Sequence, residues 1–491
     1  MEKINFLFKQ HQLPFSYIET PKPEDSDRVS NKMQRFFPYF TSTDLHVDCL
    51  KKVGMKPVVN TTNVNIFIGK ILPDEDFEAV KPWQKLSHFH SVDLIGRKDE
   101  FHQRIQELTE RMGYSETLFY QQTYILPDDF DKIINAWSTS QYWILKPRAS
   151  SKGQNIEVRD SSEQTYPPYP YLVQKYLDRP FLIMGRKFDI RFYTLVTSVE
   201  PMTIYIHRHG LGLFCTVPFD KSKGVNEPRM HITNWEVNKN SEFFVRPKGI
   251  EEKPEDSKWS LPFFFKWLQE NGYDSEKIKK DMEYAAIKAT IAGMDKVRDS
   301  HKNHVNNRHQ CFELLGIDML LDEDLNPTVV EINVSPGMTG TDSALDKWMK
   351  TEVLLDTYNM ARIIDCDPEI GCDAANKIYD FEKKSVSKKR RENVEKEIIR
   401  PWDDPTFMDI EIIRDFVDEQ ERLRGFHLVF PNKENMMKYE KCFLRKTYAD
   451  IVLRDWILMN DSERIAVLES HIAEHDDQIN SIANASSCNI C

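Results

Sequence analysis

Two acids and an amide, Asp318, Glu331 and Asn333, have the residue types and spacing to hold a divalent cation. Glu331 and Asn333 lie two positions apart in the apolar run 327–338, so on a β-strand they point to the same face. The turn-rich connector 322–327 precedes this run and predicts a β-hairpin in which Asp318 lies opposite Glu331. Facing carboxylates repel unless a cation separates them, and all-oxygen ligands suit Mg²⁺, which takes further ligands from water and substrate phosphates. A buried, hydrogen-bonded acid pair is the alternative.

The same register predicts the rest of the hairpin. It places Gly316 opposite Asn333, on the polar face. The other face then carries only apolar side chains, those of Ile317, Met319, Val330 and Ile332. We therefore expect one face toward a cleft and one face in the core.

A second polar row lies in the segment KFDIR. On a strand, Lys187, Asp189 and Arg191 share one face, and Phe188 and Ile190 share the other. A row of cation, anion and cation suits a polyphosphate, because the cations meet phosphate oxygens while the acid orients them or assists a metal. A solvated outer face is the alternative, but the apolar sequence that follows favours a central strand lining a cleft.

Further phosphate and nucleotide contacts are predicted upstream. Lys146 ends an apolar strand, and the small-residue loop after it contains Lys152 and Gly153. Such a loop closes over phosphates with backbone N–H groups and a lysine as donors, and glycine permits close approach. The segment 171–177 is a candidate edge strand that offers backbone groups to an adenine ring.

Several other kinds of site are not supported. The sequence contains no G-x-x-x-x-G-K-[ST] loop, no G-x-G-x-x-G opening a helix, no kinase signature and no G-x-S-x-G elbow. Three histidines, His301, His304 and His309, have a spacing that would fit a metal site. They lie in a polar segment, and we predict a solvated loop there instead.

Composition indicates a folded protein of about two to four domains. Of its 491 residues 40% are hydrophobic, and the formal net charge of −12 argues against general nucleic-acid binding. The eight cysteines are scattered, as expected in a reducing compartment, and the terminal C-x-x-C is interpreted as incidental. No run approaches the ~20 apolar residues of a membrane span, and no signal-type segment opens the chain. We expect a cytosolic monomer without nucleic-acid or membrane partners.

Apolar periodicity predicts an α+β protein with helices and strands in separate segments. Strands dominate from 140 to about 217, helices from 259 to 298, and a highly charged helical stretch follows residue 360. The predicted domains are an N-terminal domain (1–139), a central subdomain (140–215), a subdomain with the metal hairpin (216–360), a basic helical extension (361–445) and a helical or disordered tail (446–491).

The ordered motifs resemble the tubulin tyrosine ligase-like family of the ATP-grasp superfamily, nearest to its glutamylase branch. The resemblance covers about residues 60–445. It rests on the segments HFHSVDLIGRKDEF (88–101), QTYILPDDF (122–130), WILKPRASSKG, LVQKYLDRPFLIMGRKFDIRFYTLVTS, HITNWEVNK (231–239), CFELLGIDMLLDEDLNPTVVEINVSPGM and RGFHLVFP (424–431). It implies an ATP-grasp fold, with the nucleotide clamped between two α+β subdomains, a smaller N-terminal α/β domain and a helical C-terminal extension.

The resemblance also implies a role for each matching residue. Lys146, Lys152 and Gly153 would hold phosphates, and Gln174, Lys175, Tyr176 and Leu177 would hold the adenine. The set is completed by the strand residues Lys187, Phe188, Asp189 and Arg191, the threonine–asparagine pair Thr233 and Asn234, and the magnesium ligands Asp318, Glu331 and Asn333. Lys187 and Arg191 are the expected catalytic residues.

The implied chemistry is ligation. ATP phosphorylates a side-chain carboxylate of a tubulin tail, and the amine of free L-glutamate then attacks the acyl phosphate to form an amide bond. Mg²⁺, the lysines and Arg191 stabilise charge on the transferred phosphoryl group. The implied location is the cytoplasm and cytoskeleton, with the cilium or basal body as further sites.

The amino-acid pocket departs from the family pattern. Leu213 occupies the position of an arginine that binds the incoming amino acid's carboxylate, and Trp235-Glu236 replaces a tyrosine–serine pair. Leucine makes no charge-assisted bond to a carboxylate, and Glu236 repels one. The remaining candidate donors are Lys258, Lys239 and, if its segment turns as a hairpin, Arg208. Two alternatives stay open: an ATP-binding pseudo-ligase that acts as a microtubule-associated protein, and a ligase for another amino acid or a non-tubulin substrate.

The segment 382–391 carries six cations and one acid. A charge run of this kind is commonly a solvated helix face. Since tubulin tails are acidic, we predict instead that it contacts tubulin, by an attraction that weakens with salt.

Overall fold

The computed structural model mixes helices and sheets, as an α+β protein does. It describes residues 2–10, 12–28, 34–39, 44–59, 61–148, 153–163, 170–305, 307–340 and 342–484. Lys152, a predicted phosphate ligand, lies outside the described residues.

The strands of the described residues are β1 (Arg35–Tyr39), β2 (Lys56–Pro57), β3 (Ile66–Gly69), β4 (Lys85–Leu86), β5 (Thr123–Ile125), β6 (Tyr142–Pro147), β7 (Glu157–Asp160), β8 (Tyr171–Lys175), β9 (Phe188–Val199), β10 (Met202–Phe214), β11 (Lys258–Ser260), β12 (Glu313–Leu321), β13 (Pro327–Asn333) and β14 (Phe426–Phe430).

The α-helices are α1 (Glu2–Gln10), α2 (Asp44–Lys52), α3 (Asp74–Ala79), α4 (Asp93–Gly96), α5 (Lys98–Met112), α6 (Phe130–Ala136), α7 (Pro228–His231), α8 (Trp235–Asn238), α9 (Leu261–Glu270), α10 (Ser275–His304), α11 (Ala344–Met360), α12 (Asp373–Lys384), α13 (Lys388–Glu395), α14 (Phe407–Glu421), α15 (Met436–Tyr439), α16 (Tyr448–Leu458) and α17 (Asp461–Asn484). None of these described helices is long and apolar enough to cross a membrane.

The first sheet is parallel and has the order β2-β1-β3-β4. Its strands alternate with α2 and α3, as short crossover units do. Phe36 and Ile66 are fully buried in a core that this sheet shares with α11. The N-terminal part of the chain is therefore packed on the rest.

The second sheet is antiparallel, with the order β5-β8-β6-β7. The expectation that segment 171–177 forms an edge strand is wrong, because β8 lies between β5 and β6. The three-residue strand β5, at Thr123–Ile125, covers the edge that β8 would otherwise expose. This sheet therefore begins before the predicted boundary at residue 139.

The third sheet has the order β11-β10-β9-β12-β13, and β14 also pairs with β10. Residues 188–191 of the KFDIR segment open β9, the central strand, as the apolar flank predicts, and Lys187 immediately precedes it. Phe188 and Ile190 lie in the main hydrophobic core. Because β9 and β10 share this sheet with β12 and β13, the predicted boundary at 215/216 runs through one sheet. The extension after residue 360 also contributes a strand to it, β14.

The hairpin β12–β13 has the predicted register at its polar end. Gly316 pairs with Asn333, and Asp318 pairs with Glu331. Beyond Asp318 the register shifts, so that Met319 pairs with Val329 rather than Val330. A β-bulge of this kind leaves one residue unpaired and reverses its direction. The prediction for Val330 is therefore wrong: Val329 is fully buried, whereas half-buried Val330 lines a small cleft beside Glu331.

The C-terminal helices pack on α10 and on the third sheet through a buried ion pair. Thr447 caps α16, its hydroxyl accepting from Asp450 N at 3.3 Å, while Asp450 Oδ2 accepts from Thr447 N at 2.9 Å. Asp450 also binds the Arg298 guanidinium of α10 at 2.9 Å and accepts from Met202 N of β10 at 3.1 Å. Arg298 is only 1% exposed, so this single carboxylate joins three elements.

Candidate active site

Two of the predicted metal ligands, Asp318 and Glu331, lie with Arg191 in one row across the third sheet. Asp318 of β12 pairs with Glu331 on one side and with Arg191 of β9 on the other. Arg191 donates from Nε to Asp318 Oδ1 at 2.7 Å and from Nη2 to Oδ2 at 2.6 Å. A bidentate pair of this kind fixes both side chains.

The side chain of Asn333 contacts both acids. Its Nδ2 lies 3.1 Å from Asp318 Oδ2 and 3.4 Å from Glu331 Oε1. The three oxygen-bearing groups therefore converge as the hairpin register predicts, in a donor set that fits Mg²⁺. Turning the amide over would present its oxygen in place of its nitrogen.

The pKa values of the two acids are shifted in opposite directions. Burial raises the pKa of Asp318, although Arg191 opposes this. Burial would also raise the pKa of Glu331, but Lys98, Lys146 and Arg191 outweigh it and lower that pKa below its usual value. Glu331 is therefore a carboxylate at neutral pH, able to bind a cation.

Lys98, which the sequence analysis did not single out, is part of this cluster. It is the first residue of α5, and its Nζ lies 3.3 Å from Glu331 Oε2. Its segment, IGRKDEF, belongs to the stretch that resembles the family, and this resemblance is the sequence signal for it. A lysine at a helix start has no distinguishing pattern, and only the fold brings it to β13.

Lys146 lies on the second sheet and faces the same cluster. It is 3% exposed, and its Nζ donates to Gln174 Oε1 at 2.8 Å. Gln174 in turn donates to Thr123 Oγ1 at 3.0 Å. Burial lowers the pKa of Lys146 to about 8, although Glu331 raises it. With Lys98, Leu172 and Glu331, Lys146 lines a narrow cleft between the second and third sheets.

Lys187 is held by a hydrogen-bonded chain. Its Nζ donates to Tyr176 OH at 3.1 Å, and Tyr176 OH lies 2.8 Å from His231 Nδ1. His231 Nε2 lies 3.0 Å from the carbonyl of Gly224, so Nε2 carries the proton and Nδ1 accepts from the tyrosine. Burial lowers the pKa of Lys187 to about 8.

The residues at the end of β8 are close to this chain. Lys175 is exposed, and its N–H donates to Gln122 O at 2.8 Å. The N–H of Tyr176 donates to Tyr142 O at 3.2 Å, and half-buried Leu177 follows. The N–H groups of Lys175 and Tyr176 therefore already donate to the carbonyls of Gln122 and Tyr142. Any backbone contact to adenine here involves other groups.

The threonine–asparagine pair meets both Asp189 and the small-residue loop. Thr233 Oγ1 donates to Asp189 Oδ2 at 2.7 Å. Burial raises the pKa of Asp189 to about 7, and its Oδ1 is buried without a hydrogen-bond partner. Asn234 caps α8, accepting from Glu236 N at 2.9 Å. Gly153 has a φ of +71°, and a Cβ there would lie 3.2 Å from Asn234, so glycine allows the loop to approach.

Leu213 lies between an acid and a lysine. In β10 it pairs with Asp189 on one side and with Lys258 of β11 on the other. Lys258 is 4% exposed, and its Nζ lies 2.9 Å from Asp342 and 3.5 Å from Asp346. Lys258, the cross-strand neighbour of Leu213, therefore already has two carboxylate partners.

Trp235 is flanked by two cations. Lys239 Nζ lies 4.4 Å and Lys258 Nζ 5.6 Å from the centre of its ring. Lys239 also forms an ion pair with Glu236, which offsets the charge expected to repel a carboxylate. The indole Nε1 of Trp235 is buried without a hydrogen-bond partner.

The expectation that Arg208 reaches this pocket is wrong. β10 continues from Met202 to Phe214 without a hairpin turn, although its pairing with β9 shifts register between Ile206 and Gly210. The guanidinium forms an ion pair with Glu352 of α11, which also binds His209. Because the chain does not turn back at this irregularity, Arg208 stays with Glu352 and does not approach Leu213.

The three histidines are not a solvated loop, and that prediction is wrong as well. His301 and His304 lie in the last turn of α10, and His301 is buried against Phe89. His309 is buried between Glu382 and Asp415, at 2.8 and 3.3 Å. The local sequence does not predict the burial of His301 and His309, because the residues that bury them are distant in the chain.

Comparison with known proteins identifies the family. The model of the tubulin-tyrosine ligase family matches residues 77–370. The chain belongs to this family. Every predicted site residue, and Lys98 as well, lies within the matched range, whereas the basic segment 382–391 lies beyond it.

Curated members of the tubulin-tyrosine ligase family are similar over most of the chain. The mouse tubulin monoglutamylase TTLL4 is 35% identical over 300 residues, 60% of this chain and 25% of that protein. The Caenorhabditis elegans tubulin polyglutamylase ttll-4 is 31% identical over 418 residues, 81% and 67% of the two chains. The zebrafish tubulin polyglutamylase ttll6 is 31% identical over 375 residues, 74% and 46%. The chain thus spans about a quarter of the mouse relative's length and two thirds of the nematode's.

The basic segment, beyond the family match, divides into structural and exposed residues. Glu382 is buried and pairs with Arg308, and Arg390 binds Asp409 at 3.2 Å and the carbonyl of Pro401 at 3.0 Å. The exposed cations are Lys383, Lys384, Lys388 and Lys389. The charge on this surface is therefore smaller than the sequence count implies.

Proposed function

We propose that the chain is an ATP-dependent ligase that joins glutamate to side-chain carboxylates of tubulin tails. Membership of the tubulin-tyrosine ligase family and the names of its glutamylase relatives support the reaction. The observation that carries the proposal is the cluster of Arg191, Asp318 and Glu331, with Lys98 and Lys146 beside it. Buried cations beside convergent oxygen ligands suit a metal-bound polyphosphate.

We also propose an ATP-grasp arrangement. Two antiparallel sheets meet where Lys146 faces Glu331, and a nucleotide between them would contact both. The adenine would lie at 174–177, and the phosphates at Lys146, Lys187 and Gly153. These positions follow from the family resemblance, and the buried, positively charged side chains support them.

Asp318, Glu331 and Asn333 would hold Mg²⁺, which when bound neutralises charge on the phosphates. Arg191 keeps Asp318 oriented toward this site by its two hydrogen bonds. Lys98 does the same for Glu331.

The reaction needs no nucleophile from the enzyme. A carboxylate oxygen of the tail attacks the γ-phosphorus of ATP, and the bond to ADP breaks. The amine of glutamate then attacks the acyl carbon, and inorganic phosphate leaves. Lys146, Lys187 and Arg191 stabilise the charge of the transferred group. Asp189, whose Oδ1 is buried without a hydrogen-bond partner, would accept a hydrogen bond from the amino group of the amino acid.

Trp235, Glu236 and Lys258 would form the amino-acid pocket beside Leu213. Its donors are Lys258 and the unpartnered indole N–H of Trp235. The engagement of Lys258 by Asp342 favours a second candidate function, an ATP-binding protein that associates with microtubules without ligating. The proposed ligase activity also has a variant form, in which the enzyme adds another amino acid or modifies another acidic protein.

Tubulin is the proposed partner, and the exposed lysines of 382–391 would meet its acidic tails. We propose that the protein acts as a monomer on the cytoskeleton. Cilia or basal bodies are further proposed locations.

The test is incorporation of labelled glutamate, glycine and tyrosine, each separately, into purified microtubules with Mg²⁺ATP. Label from one amino acid that is lost in Glu331→Ala would support the ligase and name its donor. If no amino acid is incorporated while ATP still binds, the binding-protein function is favoured.

A further inference from the structure

We propose that Asp74, His90 and His304 form a zinc site separate from the catalytic cluster. The three residues come from the start of α3, the loop before α4 and the end of α10. One ligand atom from each lies within 4.8 Å of the others. Among the described residues, these are the three potential metal-ligating side chains whose ligand atoms lie this close together.

The pair His90 and Asp74 already has the spacing of two ligands on one ion. His90 Nε2 lies 3.0 Å from Asp74 Oδ1. Ligand atoms bound to one tetrahedral zinc at about 2.0–2.1 Å lie roughly 3.3 Å apart. A cation therefore replaces the proton between these two atoms with a small displacement.

Ser300 positions both imidazole rings. Its carbonyl lies 3.0 Å from His304 Nδ1, so Nδ1 donates and Nε2 keeps its lone pair. Its hydroxyl lies 2.5 Å from His90 Nδ1, and the Ser91 hydroxyl lies 2.9 Å from the same atom. Either hydroxyl can accept a hydrogen bond from the Nδ1–H of His90. The Nε2 atom of His90 then keeps its lone pair, as that of His304 does. Partners of this kind on the far nitrogen are typical of metal-binding histidines.

The donor set selects the metal. Two imidazole nitrogens and one carboxylate suit Zn²⁺ and disfavour Mg²⁺, which prefers oxygen ligands. The Asp74 side chain is 76% exposed, whereas that of His90 is 9% exposed. The site therefore opens to solvent on the aspartate side, where water supplies the fourth ligand.

Binding requires the two rings to separate. Their planes are within 4° of parallel and their centres are 3.9 Å apart, so no ion lies in both planes. His90 is buried, whereas His304 is half-buried at the end of its helix. The ring of His304 is therefore the one that turns.

A bound ion would join the N-terminal sheet to the catalytic unit. α3 connects β3 to β4 of the first sheet, and α10 packs on β13 of the third sheet. His90 precedes α4 and α5, and α5 begins with Lys98. The expected effect is on stability, because a ligand that binds only the folded state raises Tm.

The test uses the full chain with Cys488→Ser and Cys491→Ser, since the terminal C-x-x-C would itself bind zinc. The metal-free protein is titrated with Zn²⁺, and separately with Co²⁺, in excess Mg²⁺. We expect one equivalent of zinc, a nitrogen-ligated tetrahedral Co²⁺ spectrum and a rise in Tm of roughly 2–5 °C.

Two variants and a matched control decide the result. His304→Gln and Asp74→Asn should each lose the equivalent and the Tm rise, and Asp74 is exposed enough that Asn does not disturb folding. His427→Gln should keep both, because His427 has a carboxylate partner, Glu283 at 2.8 Å, without belonging to the cluster. Zinc binding that survives either variant, or that is absent from the parent protein, overturns the proposal.

Discussion

Arg191 and Asp318 lie opposite each other on adjacent antiparallel strands and form a two-bond ion pair at 2.7 and 2.6 Å. The pair joins the row proposed to bind phosphates on β9 to the hairpin β12–β13 proposed to bind the metal. Because both side chains are largely buried, neither can change without leaving the other's charge unpaired.

Arg191→Lys should therefore abolish most ligation. Lysine keeps a charge but cannot form the two parallel bonds that hold Asp318. We expect kcat to fall by roughly 10²–10³-fold, the scale found for loss of a transition-state donor. Initial rates of amino-acid incorporation measure this. Arg208→Lys is the matched control, since its partner Glu352 lies on α11, and an equal loss there would contradict the assignment.

Nucleotide affinity should fall as pH rises through about 8. Burial lowers the pKa values of both Lys146 and Lys187 to about 8, so both lose their charge above that pH. Only the protonated lysine attracts phosphate, and bound phosphate shifts its pKa upward again, so binding takes up protons in this range. Calorimetry of ATP binding from pH 7 to roughly 9.5 tests this.

Lys146→Arg is the control for the pH effect, because arginine stays charged throughout. If that variant binds at all, its affinity should vary less with pH than the parent's. A parent affinity that is flat across pH 8 would contradict a phosphate contact by these lysines.

Leu213→Arg should improve the use of glutamate. An arginine between Asp189 and Lys258 would supply the charge-assisted bonds that leucine lacks. We expect KM for glutamate to fall about 10-fold, equivalent to ~1.4 kcal/mol, with little change in kcat. Leu213→Met controls for size. A KM that is unchanged or higher would show that this pocket holds the amino acid differently.

Asp450→Asn should destabilise the whole fold. It leaves Arg298, which is 1% exposed, without its carboxylate, and breaking a buried pair costs about 3–5 kcal/mol. Denaturant unfolding measures the loss. Asp299→Asn is the control, because its pair with Arg445 is about half exposed and such pairs contribute at most ~1 kcal/mol. Similar losses in both variants would contradict the role given to Asp450.

The sequence predicts the polar end of the hairpin β12–β13 well because the alternation and the turn are local. The pairs of Asp318 with Glu331 and of Gly316 with Asn333 follow from these two signals alone. Val330 escapes prediction, since a bulge shifts the register by one residue without a turn or glycine to mark it.

The errors elsewhere have a common physical cause, which is pairing between distant segments. β8 is internal because the short strand β5 covers it, and Lys98 reaches Glu331 across more than two hundred residues. Arg208 does not reach the predicted amino-acid pocket, because β10 continues through that residue without a hairpin turn. Local patterns contain none of this information.

The central claim is that ATP activates a carboxylate of the acceptor. The most direct measurement is ligation of glutamate to a tubulin-tail peptide whose side-chain carboxylates carry ¹⁸O, followed by mass analysis of the released phosphate. An acyl phosphate requires one ¹⁸O atom in each phosphate, and no product from Glu331→Ala. Amide product with ¹⁸O-free phosphate, or no product while ATP is bound, would contradict the account.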